Sequence, residues 1–168
     1  MKNQFVLRLT TCMVALSTLF LLGCNKKNDG PDNEDPFRLE ANLLMGSKLF
    51  ANTLGSRTSE HAFEILEVIR KSDVLEVKVK GGSDAESFQF IWDGRIQESF
   101  PMGIQLILLY DNTAEDFDSD KELSVTVNLQ KIIGERNNVE DYHFHVINGS
   151  KIQTATLNPD GTTTSENK

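Results

Sequence analysis

Short runs of alternating apolar and polar residues are the feature that most restricts how this chain can fold. In the run from Leu123 to Leu129, every odd-numbered residue is apolar and every even-numbered residue is polar. A strand with one face against a core and the other in water has this pattern. Turn signals separate seven strand-forming runs, which are Phe63–Arg70, Leu75–Lys80, Phe88–Trp92, Ile104–Tyr110, Leu123–Leu129, Tyr142–Val146 and Lys151–Leu157. They predict an all-β domain over 63–157, an antiparallel immunoglobulin-like sandwich of about seven strands, with a partly open barrel as the alternative.

Two of these runs and two turns predict more detail. Ile104–Tyr110 is apolar on both faces, so we expect it to be covered twice and to lie in the middle of a sheet. Lys71-Ser72-Asp73 has the length of a hairpin loop between the first two runs. Asn148-Gly149 precedes the last run and predicts a hairpin with a type I′ turn, because both central residues of such a turn need positive φ.

The flanks of this domain carry weaker patterns. The lead-in 37–62 partly follows helical spacing, but Gly46 and its Ser, Asn and Thr content argue against a long helix, so its structure stays open. The end of the chain, 158–168, contains a turn at Asn158-Pro159-Asp160-Gly161 and no apolar residue. We therefore expect the tail to be disordered.

The N-terminal residues have the pattern of a signal for export. Lys2 and Arg8 precede the apolar stretch Leu9–Phe20, and Leu21-Leu22-Gly23-Cys24 follows it directly. This arrangement resembles the lipobox of bacterial lipoproteins processed by signal peptidase II. The resemblance implies that a signal peptide, 1–23, is removed and that Cys24 is acylated. The alternatives are an ordinary secretory signal and a single membrane anchor.

The segment 24–36 is predicted to be a flexible tether. Asn25–Pro36 has no apolar residue, and its r.m.s. reach is roughly 20 Å for a flexible chain. Several acyl chains on Cys24 make membrane attachment durable. An asparagine directly after the acylated cysteine, here Asn25, is similar to the pattern found in lipoproteins that are sorted to the outer membrane. We therefore expect a protein of the bacterial cell envelope, on the periplasmic or the external side of the outer membrane.

Charge and cysteine content exclude other classes. The chain has a net charge of −8, and removal of Lys2 and Arg8 leaves 15 basic against 25 acidic residues, a net charge of −10. Nucleic acid is an unsuitable partner for such a surface. Cys12 lies in the signal peptide, so Cys24 is the one cysteine of the mature chain and no disulfide forms within a monomer.

Catalytic motifs are absent from the sequence. It contains three histidines and neither a Gly-x-Ser-x-Gly nor a His-Glu-x-x-His motif. We therefore expect a non-catalytic protein-interaction or accessory module without a cofactor. The alternative is a surface lipoprotein that binds a glycan or calcium.

Two groups of residues are candidates for metal binding. Asp116, Asp118 and Asp120 alternate in the connection after residue 110, and such an oxygen-rich segment suits weak calcium binding. The other interpretation is a solvated loop. His143 and His145 share the outer face of their run and are weaker zinc candidates, with a third ligand from His61 or an acid; the alternative is a pair of surface histidines.

Three aromatic residues have two possible roles each. Trp92 and Tyr110 belong to a sugar-binding platform if they are exposed, whereas strand alternation favours the core for Trp92. Phe100, in the loop Glu98-Ser99-Phe100-Pro101, either presents its ring to a partner or closes one end of the sandwich.

A final set of segments carries a family resemblance. Gly81-Gly82-Ser83, Phe88-x-Phe90, Glu98–Pro101 and Leu123–Leu129 resemble a family of small, uncharacterised Bacteroidota lipoproteins. The resemblance implies a small, exported all-β domain and no activity. Members often carry a cysteine near the position of Ser83 and another in the acidic loop. This chain has neither, so it lacks any such disulfide.

Overall fold

The computed structural model describes residues 35–57, 59–111 and 116–167. The lipobox, Cys24 and all but the last two residues of the tether 24–36 lie outside the described residues. None of the helices in the described part of the chain is long and apolar enough to cross a membrane.

The described residues form ten strands and two short α-helices. In chain order these are β1 (Phe37–Glu40), β2 (Leu43–Met45), α1 (Ser47–Gly55), β3 (Glu64–Lys71), β4 (Val74–Gly82), β5 (Phe88–Trp92), β6 (Met102–Tyr110), β7 (Asp118–Asn128), α2 (Gln130–Ile133), β8 (Tyr142–Asn148), β9 (Gln153–Leu157) and β10 (Thr163–Asn167). A short 3-10 helix, Val139–Asp141, precedes β8. Each of the seven predicted runs coincides with one strand, from β3 to β9, so the all-β prediction is confirmed.

The strands form two sheets. The large sheet has the order β1-β2-β5-β6-β8-β9-β10, and the small sheet has the order β3-β4-β7. All pairs are antiparallel except β2–β5 and β6–β8, which are parallel. These two pairs differ from the wholly antiparallel arrangement expected. Alternation alone cannot reveal strand direction, and the β6–β8 pair forms because the intervening β7 lies in the other sheet.

Apolar side chains from both sheets form one core. Val77 of β4 and Val125 of β7 belong to the same buried cluster as Phe90, Leu106 and Phe144 of the large sheet. This is the arrangement of a sandwich, in which the inward faces of two sheets supply the core. The sandwich-like prediction is therefore confirmed, and the small sheet presents its other face to solvent.

Helix α1 covers part of the outer face of the large sheet. Its Phe50 packs against Ile91, Ile107 and Ile147 in a second buried cluster. Strand β6 therefore has apolar neighbours on both faces and lies fourth in the seven-stranded order. This confirms the prediction of a central, doubly covered strand.

The flanks are more ordered than the sequence indicated. The lead-in 37–62 supplies β1, β2 and α1, and its helix begins after Gly46. The prediction of a disordered tail is wrong for Thr163–Asn167, which pairs with β9 along its whole length. Backbone bonds to a neighbouring strand stabilise β10 without apolar side chains. The turn at Asn158–Gly161 is confirmed, with Gly161 at φ 84°.

The last predicted hairpin forms with a different turn. Strands β8 and β9 pair antiparallel, but residues 149–152 connect them, and neither Asn148 nor Gly149 has positive φ. The type I′ turn was therefore a wrong prediction. Asn148 is fully buried at the end of β8, where its side chain bonds to another part of the chain.

Candidate functional site

The predicted calcium ligands are not assembled into a site. Asp118 and Asp120 lie on β7, which begins earlier than expected, and Asp118 Oδ1 accepts the Asp120 N–H at 2.9 Å. The Lys80 ammonium, 2.9 Å from Asp120 Oδ1, holds the pKa of that carboxyl below its usual range. Asp116 is exposed just before the strand. The described ranges contain no group of three His, Cys, Asp or Glu residues placed to hold a metal ion.

The two histidines of β8 lie side by side on the outer face of the large sheet, as predicted. Their ring centroids are 4.5 Å apart. His145 Nδ1 lies 2.8 Å from Oγ1 of Thr156 on β9, whereas His143 Nε2 is buried beside Gly103 of β6 with no hydrogen-bond partner among the described residues. Burial lowers the pKa of His145, the neighbouring His143 lowers it further, and Glu166 acts in the opposite sense.

The third proposed zinc ligand is far from this pair. His61 stacks on Phe117, with ring centroids 4.8 Å apart, and meets Tyr110 edge-on. Tyr110 ends β6, whereas Gly103, the register partner of His143, lies near its start. The rise of a strand places these two positions about 20 Å apart. The structure therefore does not bring the three histidines together.

The three aromatic candidates differ in their exposure to solvent. Trp92 and Tyr110 are 7% and 3% exposed, so they provide no platform for a sugar. The Trp92 indole donates to the Arg95 carbonyl at 3.0 Å. Phe100 is 98% exposed and therefore does not close the end of the sandwich.

The small sheet has two edge strands, and side chains from the large sheet close the edge at β3. Gln153 of β9 places its amide against Ile65. Its Nε2 donates to the Ile65 carbonyl at 2.8 Å, and its Oε1 accepts the Ile65 N–H at 2.9 Å. These two bonds replace those of a neighbouring strand. Further along, the Thr163 hydroxyl donates to the Val68 carbonyl at 2.5 Å.

A buried polar cluster extends this closure to the residue before β3. The Phe63 N–H donates to Oγ of Ser150 at 3.1 Å, and the Phe63 carbonyl accepts from Nδ2 of Asn148 at 2.9 Å. The Asn148 side chain also donates to Oε1 of Gln153 at 3.0 Å. Asn148, Ser150 and Gln153 are all buried, and these mutual bonds satisfy them.

The other edge strand, β7, is bonded on its outer side near its end. Nδ2 of Asn42, in the β1–β2 turn, donates to the Thr126 carbonyl at 2.9 Å. The Asn128 N–H donates to Oε2 of Glu40 at 3.4 Å. In an antiparallel pair, alternate residues direct both backbone groups away from the partner strand. The even-numbered residues of this part of β7 therefore direct their N–H and C=O away from β4.

The same alternation extends to Ser124 and Glu122, which oppose Lys78 and Lys80 of β4 without a shift of register. No described residue is hydrogen-bonded to the outward N–H or C=O of Ser124 or Glu122. We call the stretch Glu122–Thr126 the open edge. It offers backbone donors and acceptors at the spacing of a strand.

A groove runs beside the open edge. One part, of about 460 Å³, is lined by Ala41, Asn42, Ala85, Glu86, Ser124, Val125 and Thr126. The next part, of about 480 Å³, shares three of these residues and continues to the end of β6, lined by Ala41, Asn42, Glu86, Ser87, Phe88, Gln89, Leu109, Tyr110 and Asp111. Small side chains therefore border the open edge, so another backbone can approach it.

The alternating pattern predicts strand β7, but it does not predict the open edge. Alternation predicts which residues face the core, and it does not say whether a strand lies at an edge. A signal was present in the charged and hydroxyl side chains on the wet face of β7, since edge strands often carry charges. Asn42 was missed because its segment has no regular pattern.

Comparison with family models, with curated proteins and with solved structures finds no match to this chain.

Proposed function

We propose that this protein is a non-catalytic module of the bacterial cell envelope that binds an extended segment of another protein along the open edge of β7. A lipid on Cys24 would hold it to the membrane, and the tether 24–36 would let the domain reach its partner. The observation that carries the proposal is that the outward backbone N–H and C=O of Ser124 and Glu122 bond to no described residue, while Ser124 also lines a groove.

The chemistry of strand addition supports this assignment. An extended peptide that pairs with a sheet edge gains backbone hydrogen bonds, and pockets beside the edge select its side chains. Edge strands in soluble proteins are usually short, bulged, charged or covered, and the register irregularity of β7 lies between Asp118 and Glu122, outside the open edge. Strand β7 has 11 residues and is bonded on its outer side at Thr126 and Asn128. The stretch before them is long enough for a partner to add several residues.

A pair of substitutions at Ser124 tests the proposal. Proline at position 124 removes the outward N–H, and this N–H makes no bond to β4, so the sheet should tolerate the change. Ser124→Ala is the matched control. It loses the same hydroxyl, which donates to Glu76 at 2.9 Å, but keeps the N–H. Both variants should remain folded.

The measurement is site-specific photo-crosslinking in the native host. A benzophenone amino acid replaces Ala41, an exposed residue that lines both parts of the groove. In a second variant, the same amino acid replaces Phe100, which precedes the start of β6 and is therefore at the other end of that strand from the groove. We expect an adduct of one discrete mass from position 41 that persists with Ser124→Ala and disappears with Ser124→Pro. An equal adduct with Ser124→Pro, or the same adduct from position 100, would contradict strand addition.

A further inference from the structure

The loop between β5 and β6, residues 93–101, holds an aromatic ring in solvent, and we call it the Phe100 loop. Phe100 is 98% exposed, the largest exposed fraction among the large apolar side chains of the described residues. Single apolar residues on a surface are common and need no special role. The role of Phe100 therefore depends on how its loop is built and on where the loop lies.

Hydrogen bonds within the Phe100 loop define its shape. Gln97 and Gly103 form an isolated β-bridge. The Gln97 N–H donates to the Gly103 carbonyl at 2.8 Å, and the Gly103 N–H donates to the Gln97 carbonyl at 3.1 Å. Between them, the Ser99 hydroxyl donates to the Pro101 carbonyl at 2.6 Å. These bonds close the loop on itself, so Phe100 extends from its tip instead of packing on the core.

The chain enters the domain beside this loop. Gly46, which joins β2 to α1, donates its N–H to the carbonyl of Trp92, the last residue before the loop, at 2.8 Å. A Cβ on Gly46 would lie 3.4 Å from the Cα of Pro36, so Pro36 packs against the same point. The tether 24–36, whose last residue is Pro36, therefore joins the domain next to the start of the Phe100 loop.

We infer that the Phe100 loop contacts the lipid bilayer that holds the lipid on Cys24, with the Phe100 ring in the membrane–water interface. This inference rests on the lipid anchor of the proposed function and adds a second membrane contact. The twelve residues Asn25–Pro36 have an r.m.s. reach of roughly 20 Å as a flexible chain. A loop beside Pro36 is therefore within reach of that bilayer. Burial of an exposed aromatic ring in the interface removes apolar surface from water.

The charges near the loop favour a zwitterionic surface. Attraction to anionic headgroups needs a cluster of lysine or arginine. The Phe100 loop has one basic residue, Arg95, against Asp93 and Glu98. Glu140 and Asp141 directly precede β8, whose first residue lies beside the first residue of β6. The contact should therefore depend on apolar burial and not on anionic lipid.

This contact would also orient the open edge. The groove continues to the end of β6, where Tyr110 and Asp111 line it, whereas the Phe100 loop precedes the start of that strand. The nine residues of β6 span about 30 Å. A bilayer at the Phe100 loop therefore leaves this part of the groove facing away from the membrane, where a partner can enter it.

Tryptophan fluorescence in vesicles tests the inference. The full chain, processed and acylated in its host, is reconstituted in phosphatidylcholine vesicles with and without bromine on the acyl chains, because bromine quenches a tryptophan close to it. Phe100→Trp places the reporter on the loop. Ile152→Trp is the matched control, since Ile152 is 59% exposed and lies between β8 and β9, near the other end of β6. The unsubstituted protein corrects for Trp92, the one native tryptophan.

We expect brominated lipid to reduce the added emission of Phe100→Trp and to leave that of Ile152→Trp unchanged. Equal quenching at positions 100 and 152, or none at position 100, would overturn the inference. Quenching at position 100 that requires phosphatidylglycerol would overturn it in favour of electrostatic attachment. A protein adduct of discrete mass from a benzophenone at position 100 would assign the loop to a protein partner, and the inference would fail.

Intact-mass analysis and vesicle flotation separate this inference from the proposed function. An acylated protein that floats with the vesicles but shows no quenching at position 100 overturns the membrane contact alone. An unmodified Cys24, with protein that does not float, overturns the lipid anchor and the membrane contact with it. Ser124→Pro should leave the quenching at position 100 unchanged, so strand addition is tested separately.

Discussion

The two edges of the small sheet are treated in opposite ways. At β3, side chains of the large sheet bond to the backbone of Phe63, Ile65 and Val68. At β7, side-chain bonds reach the outer backbone groups of Thr126 and Asn128, and none from a described residue reaches Ser124 or Glu122. Side-chain amides and hydroxyls can therefore close a strand edge without another strand. Polar side chains of the large sheet therefore close the β3 edge, whereas the stretch Glu122–Thr126 of the β7 edge stays accessible.

The two edges also differ in their role in folding. Asn148, Ser150 and Gln153, which close β3 together with the half-buried Thr163, are buried. Each of these three must therefore find a partner, and losing one leaves others without a bond. The outward groups of β7 face a groove and can bond to water. The closed edge should therefore be sensitive to mutation, whereas the open edge should tolerate changes that affect binding.

The largest expected effect is at the closed edge. Gln153→Ala leaves the buried N–H and C=O of Ile65 without partners, which should lower the free energy of unfolding by about 3 kcal/mol. Thr154→Ala is the control on the same strand and should change it by less than about 0.5 kcal/mol. Chemical denaturation of both variants measures the difference. Equal stability of the two variants would show that side chains do not close this edge.

A smaller effect is expected from pH, and it sharpens the same comparison. Asn148, Ser150, Gln153 and Thr163 do not titrate, so acid should not open the β3 edge directly. The pKa of His145, on the strand that Asn148 ends, is lowered by burial and by His143. Between this lowered pKa and the unfolded value of about 6.5, the unfolded chain binds more protons. The contribution of neutral His145 to the free energy of unfolding should therefore be fully present above about pH 6.5. It should fall as the pH drops through that window.

Denaturation curves at pH 7.5, 6.5 and 5.5 test this sign. The loss on acidification should be smaller than that caused by Gln153→Ala. The loss of stability on acidification should be smaller in His143→Gln, because one cause of the lowered pKa of His145 is removed. It should be larger in Glu166→Gln, because Glu166 acts to raise that pKa. Stability that rises from pH 7.5 to 5.5 would contradict the assigned direction.

Much of the fold could be predicted from the sequence because its core strands carry a strong alternating pattern. The central position of β6 followed from apolar residues on both faces. Strand β10 could not be found in this way, because it is polar and is stabilised by backbone bonds to β9. Strand β2 has three residues, too few for a pattern, and its parallel pairing with β5 depends on the tertiary fold.

The candidate site was harder to predict because its features belong to the backbone. Asn148-Gly149 had the composition of a tight turn, but Asn148 instead closes the edge of β3 across a sequence separation of 85 residues. The histidine pair was predicted correctly as neighbours. The missing third ligand and the open edge depend on which strands are adjacent, and residue spacing does not determine this.

The contrast between the edges is tested most directly by amide hydrogen exchange, residue by residue, in the full chain. The account predicts slow exchange for the Ile65 N–H, which Gln153 protects, and fast exchange for the Ser124 and Glu122 N–H beside a slowly exchanging Val125. If Ser124 exchanges as slowly as Val125, or Ile65 as fast as Ser124, the distinction between a closed and an open edge is wrong.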